Sequence, residues 1–282
     1  MTVRDQVLDR LKTTSAGGTE DAALALLALR RSGADPTALL NAQHRSGAWG
    51  EIPGIGPPNA FQTALALLAI RPFQQPLVQV AARRALEWLS ELRGRESHWL
   101  WQWKFRLLDR QVRFDPSKSG WPWLPGTVSW VVPTALAILA LRAWQPESPR
   151  IAAGADMLLD RACPQGGWNA GNSVVFGVEL DPHPDFTAMA ALALRDTRHS
   201  REPVVHRSLD YLAGRLKSSL SPYSLAWALI ALSAYGHEGA GPLRGRLEAA
   251  TLSRIGALPT RVLALTALAL EEPAFPFNAV NL

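Results

Sequence analysis

The chain has 282 residues, 48% of them hydrophobic and 19% charged, with a formal net charge of +5. It is long enough to bury a full core, and its 29 Lys and Arg lie scattered among 24 acids without a basic stripe, which argues against nucleic acid as a partner. A single cysteine, Cys163, rules out an internal disulfide, and a charged start without an apolar signal core gives the expectation of a cytoplasmic protein.

In chain order, an amphipathic helix is predicted over about 2–13, followed by the apolar run AALALLAL at 22–29. That run recurs as TALALLAI at 63–70, TALAILAL at 134–141, TAMAALAL at 187–194, LAWALIAL at 225–232 and LALTALAL at 263–270. Each copy is preceded by a more amphipathic helix, near 2–13, 35–43, 76–93, 148–162, 204–217 and 241–253. The preceding helices have one polar face for water, whereas the runs are apolar nearly all round and need both faces hidden. Six of each predict an all-α fold, a single α6/α6 toroid over 1–282 whose inner helices surround an apolar central cavity. An open solenoid would need polar outer faces on its end repeats, and the first and sixth runs are as apolar as the others.

Between the second and third runs lies an aromatic-rich insertion at about 93–123. Its Trp99, Trp101 and Trp103 alternate as in an extended segment, so that three indoles share one side as a lid, a ligand contact or a cover over apolar surface. Turns carrying Gly120-Trp121 and Gly167-Trp168-Asn169 lead toward inner helices at one rim, where a pocket would open. Trp99, Trp101, Trp121, Trp168 and Asn169 are therefore the candidate substrate contacts, Asn169 also being suited to turn chemistry.

The sharpest polar group is Asp181-Pro182-His183-Pro184-Asp185. Two prolines stiffen it, placing Asp181, His183 and Asp185 at alternate positions. A carboxyl beside a His at an apolar cavity suits acid-initiated cyclisation, with Asp185 as donor and His183 as its partner. The alternative is that Asp185 caps the following helix. No cofactor is required, although Asp181, His183 and Asp185 leave a Mg²⁺ site open. The six runs hold no acid, which speaks against polysaccharide-cleaving toroids with carboxylates ~5–9.5 Å apart.

Leu39 to Trp49 reads Gln43-x-x-x-Gly47-x-Trp49 at a helix end, and returns as Gly166-Gly167-Trp168 and Gly120-Trp121. It resembles the Gln-Trp motif of triterpene cyclases and the Gly-Gly-Trp repeat of protein prenyltransferase β-subunits. The whole chain is similar to short bacterial prenyltransferase/squalene-oxidase repeat proteins, through Gly167-Trp168-Asn169-Ala170-Gly171-Asn172 and Pro125-Gly126-Thr127. The resemblance implies a ring of helical hairpins, with the Trp turns bracing it, and an isoprenoid or other apolar ligand. The Asp-x-Asp-Asp string of the cyclases is absent, as are the prenyltransferase zinc spacing and the Cys-Gly-Glu-Gln of complement-type thioester domains, where this chain has Cys163-Pro164-Gln165. Two functions follow as expectations: a terpene-cyclase-like enzyme, or a non-catalytic toroid that binds isoprenoid or lipid or docks a partner on its rim. Contact with a membrane surface is open to either, and the apolar tail at 273–277 either closes the ring or touches that surface.

Overall fold

The structure is a computed structural model that describes residues 1–107, 114–215, 220–272 and 277. Among these are thirteen α-helices and two small hairpins. The outer helices are α1 (Val3–Lys12), α3 (Thr37–Asn41), α5 (Pro76–Glu91), α8 (Pro149–Asp160), α10 (Pro203–Gly214) and α12 (Ala240–Leu252). The inner ones are α2 (Thr19–Leu29), α4 (Ala60–Ile70), α7 (Val131–Trp144), α9 (Pro184–Leu194), α11 (Pro222–Ala234) and α13 (Thr260–Ala269). This is the predicted alternation. Start signals are also as expected: the Asn59 side chain accepts from Gln62 N at 2.9 Å, and Pro opens α5, α8, α9, α10 and α11.

The inner helices pack in the order α2, α4, α7, α9, α11, α13, and α13 packs back on α2. Outer helices lie outside them, α5 on α4, α8 on α7, α10 on α9, α12 on α11 and α1 on α13. Polar contacts also join the last repeat to the first. Arg30 Nη2 donates to both Glu271 carboxylate oxygens at 3.0 Å, Thr260 Oγ1 to Ser15 O at 2.6 Å, and Arg261 N to Asp21 Oδ1 at 3.0 Å.

Every residue of α4 is buried, and so are the central residues of α7, α9, α11 and α13 on all sides. Interleaved Ala lets neighbouring inner helices approach until Leu side chains interlock. The described inner helices thus fill the middle of the ring with side chains, and at that depth the expected apolar central cavity is replaced by core. Phe277 belongs to this core, stacked on Trp227 at 5.2 Å between centroids; residues 273–276 and 278–282 of the tail lie outside the described residues.

Two features depart from the sequence reading. The Trp99-Trp101-Trp103 stretch is not extended but forms α6 (Trp99–Leu107). A short apolar run cannot be told from helix by alternation alone, and the helical period sends Trp99 and Trp103 to one face and Trp101 and Phe105 to another. The rest of the insertion, 108–113, lies outside the described residues. Hairpins β1 (Gly50–Ile52)/β2 (Ile55–Pro58) and β3 (Val174–Val175)/β4 (Val178–Glu179) rise from the loops before α4 and α9.

Candidate functional site

Three Trp turns set the shape of the rim where inner helices begin. In each, the indole N–H donates to a carbonyl at the end of the outer helix: Trp49 to Leu39 O at 2.8 Å, Trp121 to Leu89 O at 2.7 Å, Trp168 to Leu158 O at 2.7 Å. The same Trp main-chain N–H donates to a Thr hydroxyl in the first turns of the next inner helix. Those pairs are Thr63 at 3.0 Å, Thr134 at 2.9 Å and Thr187 at 2.9 Å. Each Trp therefore uses two donors to pin the end of one helix to the start of the next. Gln43 adds a third tie, its Nε2 donating to Gly47 O at 2.7 Å and to Ala81 O on α5 at 2.9 Å. Trp121 and Trp168 are closed to water, so these two candidate pocket residues stand in the core and line no described pocket.

The loop after Trp168 does form a wall. Asn169 is buried; its Oδ1 accepts from Gly171 N and Asn172 N at 3.1 Å, and its Nδ2 donates to Asn172 O at 2.7 Å. This folds the loop tightly, and Val131 N, at the head of α7, donates to Ala170 O at 3.0 Å. Cys163 lies beneath, its thiol pushed up by burial and donating to Leu180 O at 3.4 Å, which suits packing rather than nucleophilic work.

Above this loop is a groove of about 390 Å³. Trp130, Val175 and Leu180 supply its apolar lining, and Asn169, Asp181 and His183 its polar lining. Three sequence-predicted residues therefore meet in one place. Asp185 does not join them: it is half-buried in the first turn of α9. It is not the cap either, since His183 holds that position and makes no side-chain capping bond. His183 instead lies against Phe186, with ring centroids 5.1 Å apart. Among the described residues no three His, Cys, Asp or Glu side chains cluster to hold a metal.

A second pocket of about 110 Å³ adjoins the groove and shares Trp130, Gly171 and Asn172 with it. Phe105, Phe114 and Val128 line it beside Glu96 and Arg161. Burial pushes the Arg161 guanidinium down to about 10; it lies 3.8 Å from the Phe114 ring centroid, and its Nε and Nη1 are sealed from solvent. Both Glu96 oxygens accept from Ser129 N, at 3.1 and 3.2 Å.

Sequence reasoning missed one acid. Helix α2 begins at Thr19, three residues before the apolar run, so Glu20 and Asp21 belong to an inner helix after all. Burial raises the Glu20 carboxyl above its ordinary range against the opposing Tyr223 hydroxyl, which donates to Oε1 at 3.0 Å. Burial likewise raises Tyr223 strongly. A cleft of about 230 Å³ lined by Glu20, Asp21, Glu51, Gln62 and Arg261 opens there. Only the acid preceding an apolar helix marked it, and a partner 203 residues away gave no local signal.

Trp99 is 64% exposed, while Trp101 is half-buried between the Arg95 guanidinium, 4.8 Å from its ring centroid, and the Lys104 ammonium at 4.5 Å. Among the described residues, no helix is long and apolar enough to cross a membrane.

No family model and no curated protein matches the chain. Solved structures do match in fold. α-2-Macroglobulin from Salmonella, reacted with methylamine, is 15% identical at a TM-score of 0.54, the match covering 96% of this chain and 18% of that one. E. coli α-2-macroglobulin spanning domain MG7 to the C-terminus is 14% identical at a TM-score of 0.52, the match covering 95% of this chain and 42% of that one. The chain thus spans less than half of either. At this identity the likeness is to an α/α-toroid-like helical fold alone.

Proposed function

We propose that the protein is a binding toroid that takes an isoprenoid or lipid-like molecule in the rim groove and does no chemistry on it. The observation that carries this reading is the groove itself. At about 390 Å³ it falls within the ~300–1,000 Å³ of small-molecule sites, with an apolar lining and a few converging polar groups. Its two ionisable residues, Asp181 and His183, are exposed. Acid-initiated cyclisation calls for a carboxyl kept from water, which makes recognition of a polar head the better role for this pair. The filled middle of the ring argues the same way, because a cyclising enzyme must enclose a long chain.

The test is native mass spectrometry with geranylgeraniol, squalene and palmitate as probes, comparing the native protein with Leu180→Asp. A one-to-one complex with at least one probe, lost in Leu180→Asp, is expected. A folded native protein that retains none of the three refutes the reading.

One observation favours an enzyme as the second reading: Glu20, with its raised carboxyl under the Tyr223 hydroxyl, is a candidate proton donor. Gas chromatography–mass spectrometry of squalene and farnesyl diphosphate incubations, with and without Mg²⁺, tests it. A cyclised product lost in Glu20→Gln would replace the binding reading with catalysis.

A further inference from the structure

Large apolar side chains left in water are not spread evenly over this molecule. Of the fourteen that are exposed among the described residues, ten lie in the loops between the end of an outer helix and the start of an inner one. All such loops emerge at one rim of the ring. The opposite rim, with its short turns, carries none of the ten.

Seven of the ten form three prongs. The first is α6, whose Trp99, Leu100 and Trp103 are 64%, 54% and 64% exposed. They sit at i, i+1 and i+4, one helical face, while Trp101 on another face is held between Arg95 and Lys104. The second is the tip of the β1–β2 hairpin, where Ile52 and Ile55 are 48% and 67% exposed. The third is the β3–β4 hairpin, with Phe176 71% and Val178 63% exposed. Phe176 has φ of +53°, the left-handed region that bulky side chains rarely adopt. With Gly177 at +77° it makes the two-residue turn between Val175 and Val178, which calls for positive φ at both central positions, and that turn presents a large aromatic outward.

We propose that this rim docks on a lipid bilayer surface carrying anionic headgroups, with α6 as the principal contact. Two features select a bilayer over a protein partner. The prongs stand on separate loops around one rim, a geometry that meets a plane rather than a single groove. The helix also pairs outward indoles, which settle at the headgroup level, with the exposed cations Arg93, Arg95 and Lys104. Of the acids beside it, Glu96 is buried and engaged by Ser129 N, while the exposed Glu91 acts on Arg93, which leaves Arg95 and Lys104 as the principal headgroup cations. The hairpins carry the exposed acids Glu51 and Glu179 and contribute apolar tips only, which assigns the headgroup preference to α6.

The mode of contact is interfacial, because α6 as described has nine residues, far short of the ~20 needed to span. Docking places the groove mouth toward the source of apolar molecules, but it stands or falls separately from ligand binding.

Vesicle co-sedimentation tests it, using phosphatidylcholine vesicles with and without phosphatidylserine. The native protein is compared with Trp99→Ser/Trp103→Ser and, separately, with Phe176→Ser. The native protein should pellet with both, more strongly when phosphatidylserine is present. The double variant should lose roughly tenfold in partition coefficient and Phe176→Ser less, with unfolding temperatures unchanged because these side chains are exposed. Absence of native binding overturns the proposal, as does binding that the double variant leaves intact. A concentration-dependent dimer that is lost in the double variant, without vesicle binding, overturns it in favour of self-association. The soluble-probe mass spectrometry above reads the groove without vesicles, so failure of one test does not decide the other.

Discussion

Replacing Trp49 by Phe removes one donor from the first Trp turn while keeping an aromatic ring in the same place. The indole N–H is the partner of Leu39 O at 2.8 Å, at the end of α3, and Trp49 is closed to water. A buried carbonyl left without its partner costs about 1–3 kcal/mol, and the smaller ring adds about 1 kcal/mol through imperfect packing. A total of about 3 kcal/mol corresponds to a fall in Tm of about 6–12 °C, at ~2–4 °C per kcal/mol for a domain near this size. Urea unfolding followed by far-ultraviolet circular dichroism gives the free energy, and calorimetry the Tm. The exposed Trp99→Phe is the control, expected within about 0.5 kcal/mol of the native protein. Thr63→Val, which removes the acceptor of Trp49 N at 3.0 Å, should show coupling with Trp49→Phe in a double-mutant cycle because both act on one joint. If Trp49→Phe costs no more than Trp99→Phe, the indole does not brace the ring, and the physical meaning given to the repeated turn is wrong.

Gly47→Ala places a Cβ 2.6 Å from Arg84 O at φ of +92° and should cost several times more in urea than Gly54→Ala, whose φ of +72° faces open space. Equal costs would show that the approach of this turn to α5 is not tight. Glu271→Ala strands the buried Arg30 guanidinium, bonded at 3.0 Å, and should destabilise by about 3–5 kcal/mol in the same assay, less in Glu271→Gln. A change below about 1 kcal/mol would show that this contact between last and first repeats carries little of the ring's stability. For Glu20, whose carboxyl is raised by burial, the folded state holds the proton more tightly than the unfolded one. Its contribution is therefore fully present below the unfolded value and is lost as pH rises through the folded one. Glu20→Gln should raise Tm relative to the native protein above that window and converge with it in acid; a gap that widens in acid reverses the sign and refutes the assignment.

The helical framework was legible because its signal is local. Six Leu-Ala runs without a polar face, each behind an amphipathic partner, leave few arrangements that hide both faces. Helix ends such as Asn59 and Pro222 then fall where capping chemistry puts them. Within the candidate site, Asn169, Asp181 and His183 were readable because they lie within fifteen residues on one loop before α9. Trp121 and Trp168 were misplaced because an indole in a Gly-Trp turn looks the same in sequence whether it faces a cavity or a helix end. The filled middle was not readable either, since how far inner helices close depends on Ala packing across the whole ring. Glu20 needed Tyr223, a pairing made only when the first and fifth inner helices share a rim.

The two rims of the ring carry different burdens, and that difference locates function more firmly than any single residue does. The turns from inner to outer helices are short, for example 71–75, 145–148 and 235–239, and leave little chain to build with. The connections from outer to inner helices at 42–59, 92–130 and 161–183 are long and hold both hairpins, α6 and all three Trp turns. Every inner helix also points its N-terminus at that rim, gathering six partial positive ends. Such an end ordinarily favours an ionised carboxyl, yet Glu20 in the first turn of α2 is raised, with burial the larger effect. A carboxyl raised against that field has been desolvated by its surroundings. The connections at 13–18 and 42–59 line the cleft at Glu20, 161–183 shapes most of the 390 Å³ groove and 92–130 presents the outward indoles, so enclosure, ligand space and surface contact are all built from outer-to-inner connections on one side of a uniform helical ring.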